Sequence, residues 1–217
     1  MIKLFNNNKI SFYLDEVIST FDLTTGVKTI DAFVSKIEDL SQSTKFVADP
    51  NNISESERDK LNSFKGDMFE VLAEIFFLTY SADPVVGLHN YRPVSLTDDF
   101  GVDATAVNVN GHNCVIQCKY RSNPMEEITY GDIAKTYSAG RELNHFSLDE
   151  NNTLFLITTG KGANSNCYHV FGNKLRVIDK SIISSFVDNN QTFWEQAESI
   201  ILDTLDYLDR ERMPKVG

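Results

Sequence analysis

The feature that most constrains this chain is a pair of short segments separated by Asn110-Gly111. Residues 104–109 (ATAVNV) alternate small or apolar residues with polar ones, and residues 113–120 (NCVIQCKY) have the composition of a second strand. Asn-Gly between two such segments is a strong signal for a tight hairpin turn, because both residues tolerate positive φ. The sequence therefore predicts a β-hairpin over these residues.

Periodic patterns on both sides of the hairpin extend this prediction to a fold class. Ser54 and Glu57 have the spacing of a capping box, which predicts a helix from about residue 55 to about residue 80. Further helices are predicted at 27–40, 128–143, 182–187 and 193–208, and further strands at 10–14, 153–158, 167–171 and 175–178. This order favours an α/β fold with a mixed central sheet flanked by helices.

A polar stretch divides the predicted elements into two parts. Residues 41–59 contain Asp49-Pro50-Asn51-Asn52 and read as a loop or linker. We therefore expect an N-terminal helical extension over residues 1–55 and a core domain over residues 56–217.

Composition and charge limit the classes of function. Among 217 residues, 41% are hydrophobic and 24% are charged, which predicts a packed core. The formal net charge of −11 argues against a surface that binds nucleic acid over its whole extent, because phosphate contacts need basic residues. Chemistry on nucleic acid would require a local basic strip or bound metal ions that reverse the sign of the charge.

The same composition predicts a cytoplasmic location. No apolar run approaches the length of about 20 residues that crosses a membrane, and the polar N-terminus lacks the apolar core of a signal peptide. Three irregularly spaced cysteines, Cys114, Cys118 and Cys167, are too few for a disulfide framework, and Cys114 and Cys118 are expected to be core thiols.

Candidate chemistry is concentrated at one end of the predicted hairpin. Gln117 and Lys119 project to the same face of their strand, and the turn allows Asp103, at the start of the partner strand, to approach Gln117. A carboxylate and nearby carbonyl oxygens suit Mg²⁺ or Mn²⁺, and a lysine can orient water or stabilise phosphoryl oxygens. Glu70 or Glu74, in an apolar stretch of the predicted long helix, would supply a further carboxylate.

Four short motifs share an order with a known family. They are Lys65–Glu70 (KGDMFE), Asp99–Asp103 (DFGVD), Gln117–Tyr120 (QCKY) and Thr158-Thr159-Gly160. Together they resemble the QxK branch of the PD-(D/E)XK nuclease superfamily, which includes the Mrr-type restriction endonucleases. The resemblance covers roughly residues 60–190, and residues 1–55 have no counterpart in it.

The resemblance implies a restriction-endonuclease-like core and a Mg²⁺- or Mn²⁺-dependent DNA endonuclease. Glu70, Asp103 and Gln117 would surround the metal, with the Cys118 carbonyl as a further ligand and Lys119 as the catalytic lysine. Gln117 departs from the acidic residue in the superfamily's name, which leaves less negative charge for a second metal.

Several partners are expected on the same basis. Basic residues that would contact phosphates are Arg121, Lys135, Arg141, Lys161 and Lys174. By analogy the chain would be the nuclease domain of a larger restriction, phage-defence or mobile-element protein, with a fused or partner helicase or ATPase. Double-strand cleavage with one site per chain would favour a homodimer.

Other interpretations of the same residues stay open. Asp103 after Gly101 is also typical of an ordinary turn, and Gln117 with Lys119 is also typical of the solvent face of an edge strand. Asp99 suits a ligand or a loop cap. The alternative function is a nucleic-acid-binding or assembly module that does not cleave, and a further alternative is an unrelated α/β protein.

Overall fold

The computed structural model describes residues 4–5, 7–43, 45–49, 51–94, 101–143 and 151–212. Its contacts divide the chain into two units, one of residues 1–75 with 186–217 and one of residues 76–185. The division falls within a long helix. The predicted domain boundary at residue 55 stays a prediction.

The described residues form eight α-helices and seven strands. The helices are α1 Asn7–Phe12, α2 Leu14–Phe21, α3 Ile30–Ser41, α4 Glu55–Tyr80, α5 Tyr130–Leu143, α6 Ser165–Phe171, α7 Lys180–Val187 and α8 Gln191–Arg212. The strands are β1 Leu88–Pro93, β2 Ala104–Asn108, β3 Asn113–Lys119, β4 Glu127–Ile128, β5 Thr153–Thr158, β6 Gly162–Ala163 and β7 Leu175–Ile178.

The unit of residues 1–75 and 186–217 is helical and has an aromatic core. The rings of Phe46 and Phe64 stack with centroids 4.8 Å apart, and Tyr13 meets Phe64 edge-on at 5.2 Å. Buried Trp194 lies beside Phe33 and donates its indole N–H to the Val187 carbonyl at 2.8 Å. Paired aromatic rings of this kind contribute to stability beyond the area that they bury.

The unit of residues 76–185 is built on a five-stranded sheet in the order β1-β2-β3-β5-β7. β1, β2 and β3 are antiparallel, whereas β3, β5 and β7 are parallel, with Lys119 of β3 level with Thr158 of β5. β4 and β6 form a separate parallel pair. The predicted class, α/β with a mixed central sheet flanked by helices, is confirmed.

Helices cover this sheet through apolar contacts. A buried cluster joins Ile133 of α5 and Phe171 of α6 to Val115 of β3 and to Leu154 and Leu156 of β5. All six residues of β5 are buried, as expected for a central parallel strand covered on both faces. The last turn of α4 contributes Phe77, whose ring stacks on that of Tyr91 at 5.0 Å.

Two predicted strands are wrong. Residues 10–14 lie in α1 and at the start of α2, because Ile10, Tyr13, Val17 and Phe21 recur at helical spacing and are all buried. Residues 167–171 lie in α6, which starts where the Asn164 side chain accepts a hydrogen bond from the Cys167 N–H at 3.2 Å. Short apolar runs do not distinguish strand from helix by themselves.

The hairpin is confirmed with a longer turn than the Asn-Gly pair predicts. Four residues, 109–112, separate β2 from β3, and Gly111 has φ +81°. The Asn108 side chain accepts hydrogen bonds from the N–H groups of Asn110 and His112, at 2.9 and 3.0 Å. A side chain that satisfies two turn amides makes the longer connection stable.

The state of the cysteines and the hydropathy of the helices bear on the expectations from composition. Cys114 and Cys118 are buried free thiols, as predicted, and Cys167 is a buried free thiol as well. Within the described residues no helix combines the length and the hydropathy that spanning a membrane requires.

Candidate active site

Strand pairing brings Asp103 to Gln117. The Asp103 N–H donates to the Ile116 carbonyl at 3.0 Å, which continues the β2–β3 ladder by one residue and sets Asp103 opposite Gln117. The Gln117 amide nitrogen donates to the Asp103 carboxylate, and the Cys118 N–H donates to the same carboxylate oxygen at 2.6 Å. Asp103 is therefore tied to the strand that carries Gln117 and Lys119.

Three oxygen-bearing groups meet around the Gln117 amide, which is only 3% exposed. Its nitrogen lies 3.3 Å from the Cys118 carbonyl oxygen as well as against Asp103. Its oxygen faces the buried hydroxyl of Thr136 on α5, and that hydroxyl also contacts the Gly101 carbonyl. The amide thus links the hairpin to α5 and to the loop before β2.

Thr136 was not among the site residues predicted from the sequence. A signal was present, because Ile133, Thr136, Tyr137 and Gly140 recur at the spacing of a buried helical stripe. A threonine on such a stripe needs a hydrogen-bond partner inside the protein, since a buried hydroxyl without one is costly. Here the partners are Gln117 and Gly101.

Gly101 allows the loop before Asp103 to lie against α5. Its φ of +101° is in the region that favours glycine, and a Cβ there would come within 3.1 Å of the Lys135 Cβ. Lys135, which is exposed, therefore lies beside the loop that leads to Asp103. Asp99, the other acidic residue of this motif, lies outside the described residues.

Lys119 is the last residue of β3, and its backbone is held by β5. The Thr158 hydroxyl donates to the Lys119 carbonyl at 2.7 Å. Alternation along β3 puts Lys119 on the same face as Gln117, and its side chain is half-buried. Among the residues that the structure describes, no hydrogen bond or ion pair engages the Lys119 ammonium.

Arg121 is held by carboxylates beside this end of the sheet. Its guanidinium lies 2.7 Å from Glu126 and 2.9 Å from Asp132. Burial opposes ionisation of Asp132, but hydrogen bonds from Thr129 and the charge of Arg121 outweigh burial and lower its pKa. The charge of Arg121 is therefore already balanced, and its predicted phosphate contact stays a prediction.

The other basic residues are spread over the unit. Arg141 is exposed on α5, and Lys161 lies 3.5 Å from Glu127 in an exposed pair. Lys174 lies just before β7, at the end of the sheet away from Asp103. Lys135 is the predicted phosphate contact whose surroundings tie it most directly to the loop before Asp103.

Glu70 and Glu74, the two candidate ligands on α4, lie in the helical unit, where the N-terminal segment contacts them. Glu70 pairs with the ammonium of Lys9, which also lies 3.0 Å from Asp67. Glu74 is fully buried and accepts the Phe5 N–H. The roles of Glu70 and Glu74 as alternative metal ligands stay predictions. No sequence signal indicated Lys9 as the partner of Glu70.

The hairpin site offers a metal ion one carboxylate, that of Asp103, together with neutral polar groups. Inside each unit, the described residues hold no group of three or more His, Cys, Asp or Glu side chains that could bind a metal. The Asp103 carboxylate and the Cys118 carbonyl are nonetheless hard oxygen donors at one place, beside the Gln117 amide, and such oxygens suit Mg²⁺ or Mn²⁺ better than zinc.

Comparisons with known proteins give little beyond this geometry. No protein-family model matches the chain, and no curated protein matches it in sequence. A solved structure of the MspJI restriction endonuclease in complex with a 27-mer oligonucleotide aligns at 12% identity with a TM-score of 0.35. The alignment covers 79% of this chain and 35% of the MspJI chain. Likeness at this level assigns neither activity nor ligand.

Proposed function

We propose that the chain is a metal-dependent endonuclease that hydrolyses phosphodiester bonds in DNA, with its centre at the end of the β2–β3 hairpin. The observation that carries the proposal is the joint position of Asp103, Gln117 and Cys118, with Lys119 on the Gln117 face of β3. A carboxylate, neutral oxygens and a lysine at one strand end are the groups that phosphodiester hydrolysis with one metal needs.

The donor chemistry fits a hard divalent cation. The Gln117 nitrogen contacts the Asp103 and Cys118 oxygens, and a half-turn of the amide would exchange that nitrogen for its oxygen. Asp103 would then supply the negative charge, and Gln117 and Cys118 would supply neutral oxygens. Glu70 is the further ligand that the family resemblance implies. A bound cation would polarise a phosphoryl oxygen and lower the pKa of a coordinated water.

Lys119 has a separate role in the proposed reaction. Its ammonium has no partner among the described residues, so it is available to orient the attacking water or to stabilise charge on the phosphoryl oxygens. Hydrogen bonds through Thr158 hold the strand end, which keeps the lysine backbone in position. Lys135 beside the Gly101 loop would contact a neighbouring phosphate.

Cleavage of supercoiled plasmid and of single-stranded DNA with Mg²⁺ or Mn²⁺ tests the proposal. We expect metal-dependent cutting that EDTA stops and that Asp103→Asn and Lys119→Met each reduce by at least a hundredfold. Lys28→Met, which removes an exposed lysine from the helical unit, should cut like the wild type. Circular dichroism and thermal unfolding would verify that every variant is folded.

Two results would overturn the proposal in different ways. Cutting that survives in Asp103→Asn and Lys119→Met would mean that another site or a contaminant cleaves. A folded wild type that cuts neither substrate with either metal would favour the alternative, a nucleic-acid-binding or assembly module without cleavage.

The proposal extends to partners. With its net charge of −11, the chain would need a second source of DNA affinity, such as a fused or partner helicase or ATPase, or a second copy of itself. Restriction, phage defence and mobile-element biology are settings in which such a nuclease would act.

A further inference from the structure

A second concave site lies in the sheet-containing unit, at the other end of the sheet from Asp103. It is a cavity of about 350 Å³ lined by the β2–β3 turn and by the first residues of β5 and β7. β3 runs from this end to the candidate active site over seven residues, a length of about 20 Å at roughly 3.3 Å per residue. The two sites are therefore separate.

The lining of the cavity is basic and amide-rich. Lys174, Arg176 and His112 line it, and none of the described lining residues is Asp or Glu. This is unusual on a chain whose net charge is −11. Within the described part of the chain, neither Lys174 nor Arg176 forms a salt bridge, in contrast to Arg121, which has two carboxylates.

Arg176 is held in place by neutral groups. Its guanidinium lies over the Phe155 ring, 5.4 Å from the centroid, and donates one hydrogen bond to the Val85 carbonyl at 2.7 Å. An arginine has five N–H donors, so this arrangement fixes the side chain and leaves donors for an anion. The Lys174 ammonium donates to the Asn151 side chain at 3.0 Å and keeps two further donors.

We infer that this cavity binds a phosphate-bearing ligand of nucleotide size. Its volume lies at the lower end of the range of about 300–1,000 Å³ for small-molecule sites, and is larger than a lone phosphate needs. A guanidinium held by neutral groups and an ammonium, neither of them paired with a carboxylate of the described residues, are the groups that recognise phosphate. The inference does not depend on metal binding or cleavage at Asp103.

The phosphate could belong to a free nucleotide or to a strand of DNA, and binding measurements can separate these sources. Isothermal titration in EDTA, with the full chain, removes any contribution of divalent metal. The probes are thymidine 5′-monophosphate, inorganic phosphate, thymidine, and a ten-residue oligothymidylate without terminal phosphates. We expect thymidine 5′-monophosphate to bind more tightly than inorganic phosphate, and thymidine to show no binding. Tighter binding of the oligomer would identify the strand as the source.

Variants assign the binding to the cavity. Arg176→Gln and Lys174→Gln should each weaken binding of thymidine 5′-monophosphate at least tenfold, because each removes a charge-assisted contact. Arg92→Gln is the matched control, since Arg92 is an exposed arginine at the other end of β1 and should leave binding unchanged. If Arg176→Gln does not fold because its contacts to Phe155 and Val85 are lost, Lys174→Gln still tests the inference.

Three results would overturn the inference. They are the absence of binding by every phosphate probe, equal binding of thymidine and its monophosphate, and wild-type affinity in both folded variants. Each result is independent of the cleavage assay, because metal is absent throughout.

Discussion

One hydroxyl proton limits the hydrogen bonds around Gln117. Thr136 contacts both the Gln117 oxygen and the Gly101 carbonyl, yet it can donate to only one of them at a time. If a metal turned the amide, its nitrogen could donate to Thr136 while Thr136 donates to Gly101. The hydroxyl would then stabilise the amide orientation that offers oxygen to a cation.

Substitution of Thr136 should therefore change metal affinity. We expect Thr136→Val to weaken Mn²⁺ binding roughly tenfold, because a lost buried hydrogen bond costs on the order of 1–3 kcal/mol. Thr136→Ser keeps the hydroxyl and should bind Mn²⁺ like the wild type. Calorimetric titration of the folded variants measures both. Equal affinity in the valine variant would show that the hydroxyl does not support the metal-binding orientation.

Lys9 is the residue whose loss should most affect stability. Its side chain is 8% exposed, and its ammonium lies between Asp67 and Glu70. Lys9→Met leaves these two carboxylates without their cation, so we expect the free energy of unfolding to fall by about 3 kcal/mol. Urea unfolding measures the change, and Lys28→Met, at an exposed position, should change it by less than about 0.5 kcal/mol.

The contribution of Lys9 should persist into alkaline solution. Burial alone would lower its pKa, but the charges of Glu70 and Asp67 outweigh burial and raise the pKa above the ordinary 10.5. A raised folded-state pKa gives stability that is fully present below pH 10.5 and is lost as pH rises through the folded value. The difference in unfolding free energy between wild type and Lys9→Met should therefore persist at about pH 7 to 9, and its disappearance in that range would contradict the pairing.

Among the secondary-structure elements, α4 begins with a capping box whose Glu57 side chain is ionisable. The Glu57 carboxylate accepts hydrogen bonds from the Ala48 N–H at 2.9 Å and from the Ser54 N–H and hydroxyl at 2.8 and 2.6 Å. Hydrogen bonds from Ala48 and Ser54 lower the pKa of Glu57 from 4.5 to about 2. The start of α4 is therefore coupled to the ionisation of one side chain.

Acid should remove this stabilisation in a defined range. Because the folded-state pKa is lowered, the contribution is present above pH 4.5 and is lost as pH falls towards about 2. We expect the stability difference between wild type and Glu57→Gln to shrink over that range in urea unfolding. Glu55→Gln, which removes a charge from the same turn but none of these hydrogen bonds, is the control. A difference that is constant with pH would refute the coupling.

For the molecule as a whole, the formal net charge of −11 opposes the binding of DNA, which is itself negatively charged. We expect the full chain to bind a DNA duplex weakly in EDTA and at least tenfold more tightly with Mg²⁺, with affinity that falls as salt rises. Fluorescence anisotropy with the Lys119→Met variant, which should not cleave, measures this. Tight, salt-insensitive binding in EDTA would mean that recognition does not depend on the proposed metal site.

Elements with local sequence signals were predictable without the structure. The capping box at Ser54 and Glu57 begins α4, the Asn110-Gly111 pair marks the hairpin, and the apolar run of residues 153–158 becomes a buried strand. The turn was enough to predict that Asp103 approaches Gln117, because it folds the two strands against each other. The register that sets Asp103 opposite Gln117 comes from the four-residue connection of the structure. The central members of the candidate site were therefore predictable.

The partners that complete these elements depend on how the helices and strands pack, and the sequence did not predict them. Residues 167–171 became helix through a cap at Asn164, and Thr136 met Gln117 because α5 packs on the sheet. The pairing of Lys9 with Glu70 and the basic cavity at Lys174 and Arg176 join residues far apart in the chain. Such contacts depend on how helices and strands pack, and packing is not encoded in the periodicity of any one segment.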